Sequence, residues 1–133
     1  MHGAPTPSDF WAKLKYKDND RRTGIITGWH PLVAHSADVA AVTEALLTRT
    51  ILRQRLATLI GWDDLDDVHI ARLSALATIH DAGKVNHSFQ DQAFPNAPQS
   101  KGHVRPMIDV FQASLELQNR LLVPLHVDEM LSW

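Results

Sequence analysis

The feature that most constrains the fold is a run of helical spacing that begins at residue 32. Apolar residues and one histidine recur at alternating steps of three and four, which places them on one face of a helix. The members of this face are Leu32, His35, Val39, Val42 and Leu46. Pro31 precedes them, and a proline is tolerated at a helix start because its missing N–H is not needed there. The pattern predicts a helix from about Pro31 to Thr50.

Similar patterns predict further helices. They run from about Thr50 to Ile60, from about Asp67 to Ala82, from near His103, and from Pro124. Residues 1–28 contain several prolines and glycines and are predicted to be largely irregular, with one helical turn at Phe10–Leu14. Residues 85–101 are predicted to form a long loop, and no stretch alternates convincingly with a period of two. We therefore expect an all-α bundle of about five helices, forming a single domain over residues 1–133.

Composition restricts the chemistry available to this chain. There is no cysteine, so thiolate metal sites and disulfides are excluded, while eight histidines are present. Any transition metal must therefore be bound by imidazole and carboxylate groups. No apolar run is long enough to span a bilayer and no signal-peptide pattern opens the chain, so we expect a cytoplasmic protein without membrane contact.

Charge argues against strong autonomous binding of nucleic acid. Residues 1–55 carry eight Lys/Arg against five Asp/Glu, whereas residues 56–133 carry five against ten. Duplex-binding domains are usually far more basic, because neutralisation of phosphates dominates their affinity. An enzyme that meets one phosphodiester at a metal site remains compatible with this balance.

Three histidines occupy the apolar faces of three different predicted helices. They are His35, His80 and His103, and Asp81 directly follows the second. A buried imidazole needs a hydrogen bond or a metal, and a satisfied core histidine is the simpler explanation for any one of them. Convergence on a common metal explains all three at once, as in other helical metal proteins.

Residues around the His-Asp pair fit the same site. Lys84 lies one helical turn after His80, where its ammonium can contact a carboxylate or a phosphate oxygen. Asp38, one turn after His35, either orients a liganding histidine or is a solvated helix carboxylate. His87 can face the site from the loop, although this is the less favoured placement. His30 is expected to make a cap or loop contact.

With these residues in place, the chain resembles the N-terminal HD nuclease domain of the type I CRISPR-associated nuclease–helicase, a member of the HD phosphohydrolase superfamily. Four segments match in order. They are FWAKL at 10–14, WHPLVAHSADVAAV at 29–42, HDAGKVNHSFQ at 80–90 and KGHVRPM at 101–107. This combination is much more specific than the general pattern of that superfamily.

The resemblance implies a helical HD fold that binds two divalent metals and cleaves single-stranded DNA as a metal-dependent endonuclease. It assigns metal binding to His35, His80, Asp81 and His103, and catalytic roles to Asp81 and Lys84. Iron, manganese, cobalt or nickel suits such ligands, and magnesium is a further candidate. The expected partners are single-stranded DNA and the CRISPR surveillance complex or helicase module.

The resemblance also implies ligands that this sequence does not contain. In the family, the HD domain continues to a pair of adjacent histidines and a late aspartate, whereas no His-His pair occurs here. We therefore expect a partial HD domain, truncated before its distal metal ligands. The alternative to a nuclease is an inactive HD-like protein that binds the surveillance complex or helicase as a decoy, inhibitor or regulatory subunit.

Overall fold

A computed structural model describes residues 1–94 and 104–125, and they are mainly helical. The α-helices are α1 (Leu32–Arg49), α2 (Leu52–Leu59), α3 (Asp67–Ile79), α4 (His87–Gln90), α5 (Val104–Ala113) and α6 (Leu115–Leu117). The strands are β1 (Trp11–Tyr16) and β2 (Ile26–Pro31). The mainly helical architecture expected from the sequence is confirmed. Within the described ranges, no helix is long and apolar enough to cross a membrane.

The N-terminal region differs from its prediction. The two strands pair antiparallel within the segment expected to be irregular, and β1 occupies the place of the predicted helical turn at Phe10–Leu14, which was wrong. The register pairs Lys13 with His30 and Lys15 with Gly28. The backbone amide of Gly3 donates to the carbonyl of Thr27 at 3.1 Å, which adds the first residues to the outer edge of β2.

Gly28 explains how the first residues approach this ribbon so closely. A Cβ atom at this position would lie 3.0 Å from the carbonyl oxygen of Met1, closer than side chains normally come to backbone. The amide of Trp29 donates to that same carbonyl at 3.2 Å. The missing side chain at Gly28 therefore permits the N-terminal backbone to pair along β2.

The chain divides into two compact units, which we describe separately. The first comprises residues 1–36 and 81–110, and the second comprises residues 37–80 and 111–133. The first unit contains the ribbon, the beginning of α1, and a series of short helical turns after residue 81. Its buried residues include several polar ones, namely Asp81, Lys84 and Gln90.

The second unit has an apolar core. Leu47, Ala57, Leu65 and Ile70 form one buried cluster, with Ile60 and Leu73 packed against it. Two polar contacts fix the segment before α3. Asp66 caps this helix by accepting from the amide of His69 at 2.8 Å, and Arg53 donates twice to Asp64, at 2.8 Å each.

The predicted face of α1 is confirmed only near its start. Leu32 is buried and His35 nearly so, but Val42 is 57% exposed and Leu46 43% exposed. Further along α1, Leu47 enters the core instead of Leu46, because it is the residue that packs with Ala57, Leu65 and Ile70. The spacing therefore located the helix correctly and its later buried face incorrectly.

The predicted long loop at 85–101 is also wrong where the structure describes it. A 3₁₀ turn at Ala82–Val85, helix α4 and a second 3₁₀ turn at Asp91–Ala93 follow one another without a loop. Asn86 caps α4 by accepting from the amide of Phe89 at 2.9 Å. Residues 95–103, and the helix predicted from Pro124 beyond residue 125, lie outside the described residues.

Candidate metal centre

The His-Asp pair lies where helix α3 ends. Its last residue is Ile79, and the chain then tightens into the 3₁₀ turn Ala82–Val85. The amide of Lys84 donates to the carbonyl of Asp81 at 2.9 Å, the three-residue spacing of such a turn. The side chains of Asp81 and Lys84 are therefore brought to the same side. The sequence predicted that Lys84 would point to this site, although through an α-helical turn from His80.

Asp81 is the centre of the site. Its side chain is only 4% exposed, and its Oδ2 atom lies 3.1 Å from Nε2 of His35 and 2.5 Å from Nζ of Lys84. A buried carboxylate is costly unless it is paired, and the Lys84 ammonium supplies the compensating charge. One carboxylate oxygen is thus shared by two of the residues that the sequence had singled out.

His35 reaches Asp81 from the first turn of α1, with its side chain 12% exposed. Burial lowers the pKa of this imidazole, and the charges of Lys13, Lys84 and His30 lower it further against the opposing effect of Asp81. The shift favours the neutral imidazole, which is the form that binds a metal.

His80 is exposed, contrary to the prediction that it lies in an apolar helix face. Its Nδ1 lies 2.6 Å from the carbonyl oxygen of Ala77, which can only accept, so Nδ1 is the donor of this hydrogen bond. His80 joins Asp81 through a peptide bond. His35, His80 and Asp81 each offer one ligand atom, and these atoms lie within 4.8 Å of one another.

Gln90 positions Lys84 relative to β1. Its Nε2 donates to the carbonyl of Lys84 at 2.7 Å and to the carbonyl of Trp11 at 3.0 Å. Its Oε1 accepts from the amide of Trp11 at 2.9 Å, and the Trp11 indole donates to the Gln90 carbonyl at 3.0 Å. These buried bonds join β1 to the turn that carries the lysine.

An aromatic pair completes the support. The Trp11 ring packs against Phe89 with centroids 4.6 Å apart, and the Lys84 ammonium lies 5.6 Å from the Phe89 centroid. A cation at that distance from an aromatic ring is attracted by its π electrons. The lysine is therefore held by a carboxylate, a ring and a fixed backbone.

The other candidates do not all reach the site. His103 lies outside the described residues, so its predicted ligand role is untested. Asp38 and His87 are exposed. His30 was expected to make a cap or loop contact, but it lies on β2, with its ring edge-on to His35 at a centroid distance of 5.8 Å.

Sequence reasoning missed three residues around the centre, namely Lys13, His30 and Gln90. All three lie within the matching segments quoted above, FWAKL, WHPLVAHSADVAAV and HDAGKVNHSFQ. The signal was therefore present in the sequence. Motif membership indicates that these residues matter, but it does not indicate which residues they contact.

Comparison with known proteins supports the resemblance. The family model described as "Cas3, HD domain" matches residues 11–118. A search of curated protein sequences found no match, and a search of solved structures found none either. The matched range covers both strands, α1 to α6 and the whole candidate centre. The chain therefore belongs to the Cas3 HD-domain family, the CRISPR-associated nuclease domains of HD type.

Proposed function

We propose that this chain is a metal-dependent phosphodiesterase domain that cleaves single-stranded DNA in type I CRISPR interference. The observation that carries the proposal is the convergence of His35 and Lys84 on one oxygen of the buried Asp81. Charged groups are seldom buried together without a functional reason, because burial of a salt bridge contributes little to stability.

The donor set fits a divalent transition metal. Imidazole nitrogen and carboxylate oxygen, without sulfur, suit iron, manganese, cobalt or nickel, and magnesium is a further candidate. We propose His35, His80, Asp81 and His103 as the ligands. The hydrogen bond from His80 to Ala77 supports this assignment, because liganding histidines usually donate their second ring N–H to an oxygen. When bound, such a metal lowers the pKa of a coordinated water and polarises a phosphoryl oxygen.

The catalytic roles proposed for this chain's own residues are those of Asp81 and Lys84. Asp81 holds the negative charge that attracts and orients cations at the centre. The Lys84 ammonium stabilises negative charge that develops on the scissile phosphate, because it is already fixed in a mostly buried position. Phe89 and Gln90 keep it there. The proposed partners are single-stranded DNA and the surveillance complex or helicase module.

The test is cleavage of single-stranded circular DNA by the purified chain after loading with each metal, with metal content measured by elemental analysis. We expect metal-dependent nicking by the wild-type chain. Asp81→Asn should lose both bound metal and cleavage. Lys84→Gln should retain metal but cleave at least about 100-fold more slowly, the usual cost of removing one group that stabilises transition-state charge.

His87→Gln is the matched control, because it removes an exposed histidine from α4 close to the motif. Its metal content and cleavage should equal those of the wild-type chain. Unchanged metal content in Asp81→Asn contradicts the site assignment. Absence of cleavage with every metal, together with tight binding to the surveillance complex, would favour the inactive decoy or regulatory subunit instead.

A further inference from the structure

One face of the β ribbon carries two lysines that the proposed mechanism does not use. Lys13 and Lys15 lie two residues apart on β1, and both are exposed. Alternate residues of a strand point to the same side, so the two ammonium groups share one face. Their partners across the ribbon are His30 and Gly28.

A groove of about 480 Å³ lies against this ribbon. It is lined by the first two residues of the chain and by parts of both strands, including Lys13, Lys15 and His30. None of the lining residues is acidic, so no carboxylate in the lining neutralises the two lysines. The groove therefore offers positive charge to an anionic ligand.

The groove leads towards the candidate centre within the same unit. Lys13 and His30 are direct cross-strand neighbours, and the His30 ring meets that of His35 at 5.8 Å. The ribbon face and the metal ligand are thus linked through the side chain of His30.

We propose that the Lys13–Lys15 face of the ribbon binds the phosphate backbone of a single-stranded nucleic acid and guides it to His35 and Asp81. This inference rests on the proposed function, since it adds the track by which the substrate reaches the centre. The two lysines are positioning residues, because they act on phosphates that flank the reacting one.

The spacing of the two lysines suits successive phosphates along one nucleic-acid strand. Two residues along a strand span about 6.8 Å, so the lysines can meet successive phosphates of one extended chain. Single-strand binding proteins use such positively charged grooves to follow the backbone without reading the sequence. Two lysines supply modest affinity, which agrees with the low overall charge of the chain.

Binding can be measured apart from cleavage. A fluorescent thymidine oligonucleotide of about ten nucleotides is titrated with the full chain in chelator, and the affinity is followed against salt concentration. Each phosphate contact contributes about 0.7 to the slope of log affinity against log salt. Lys13→Gln/Lys15→Gln should lower that slope by about 1.4, so the wild-type chain loses about sevenfold more affinity when salt rises fourfold.

Matched variants distinguish an effect of the lysines' position on the ribbon from a general effect of losing two positive charges. Arg49→Gln/Arg55→Gln removes two exposed positive charges from the second unit and should leave binding unchanged. Lys13→Arg/Lys15→Arg keeps both positive charges and should retain the salt slope of the wild-type chain. A peptide nucleic acid of the same sequence, which has no phosphates, should not compete. All variants alter exposed side chains, and their circular dichroism should match that of the wild-type chain.

Three results would overturn the inference. The first is a salt slope of Lys13→Gln/Lys15→Gln equal to that of the wild-type chain. The second is a fall in the slope of Arg49→Gln/Arg55→Gln as large as that expected for the lysine variant. The third is effective competition by the peptide nucleic acid. The proposed function fails separately. If the oligonucleotide binds through Lys13 and Lys15 but no metal-loaded form cleaves, the inference stands and the nuclease assignment fails. If the chain cleaves but its binding does not depend on Lys13 and Lys15, the nuclease assignment stands and the inference fails.

Discussion

The two units of this chain differ in the polar and charged side chains that they bury. In the first, Asp81, Lys84 and Gln90 are buried polar groups, each with hydrogen-bond partners of defined geometry. In the second, the buried cluster of Leu47, Ala57, Leu65 and Ile70 is entirely apolar. Apolar burial stabilises without directional requirements, whereas a buried polar group is costly as soon as one partner is lost. Both units bury apolar residues and the second also buries Ser74, so the buried charged pair of Asp81 and Lys84 is what distinguishes the first unit among the described residues.

The largest expected effect tests the polar side of this comparison. Asp81→Ala leaves the Lys84 ammonium without its carboxylate, at a side-chain exposure of 10%. The free energy of unfolding should fall by about 3–5 kcal/mol, the usual result of removing one partner of a buried pair. Urea denaturation measures it.

Asp81→Ala/Lys84→Met is the companion variant, since it removes both charges and retains the volume of the lysine stem. Most of the lost stability should return, while metal binding should remain absent. If the single variant is as stable as the wild-type chain, buried charge is not what constrains the first unit.

The next effect tests the apolar side. Ile70→Ala should lower the free energy of unfolding by about 3 kcal/mol, because Ile70 is nearly fully buried and its removal leaves a cavity. Val68→Ala on the same helix is the control, since Val68 is 54% exposed and should change little. Metal content per folded chain should be unaffected by either variant. Loss of metal from folded Ile70→Ala would show that metal binding depends on the apolar core of the second unit.

The smallest effect tests whether hydrogen bonds rather than charge hold the first unit. Gln90→Ala leaves the amide of Trp11 and the carbonyls of Trp11 and Lys84 without the amide side chain that serves them. The free energy of unfolding should fall by about 2 kcal/mol. Gln54→Ala, at an exposed position of α2, should be neutral. Equal midpoints in urea for the two variants would refute this role of Gln90.

The helices were predictable because their signals are local. The spacing that starts at Leu32 predicted α1 to within two residues at each end, and α2 and the start of α3 were located equally well. Within the site, His35, Asp81 and Lys84 were predicted and the structure brings them together. Each lies in a short motif whose combination of residue types predicted a metal site.

The ribbon was missed although KLKYK at 13–17 alternates polar and apolar residues. The surrounding prolines and glycines outweighed this short signal, and bulges after Trp11 and Lys15 interrupt the alternation. The role of Gln90 could not be predicted, because its partner Trp11 is 79 residues away and nothing local links the two. Contacts of that kind depend on the assembled fold.

The ion pair between Lys84 and Asp81 has a practical consequence for handling the protein. The lysine acts as a built-in counter-ion, so the buried carboxylate has a partner of opposite charge before any metal arrives. Small zinc domains, in contrast, stay unfolded until their ion binds. This chain should therefore survive purification in chelator as a folded apoprotein, and each metal can be added afterwards to identical material.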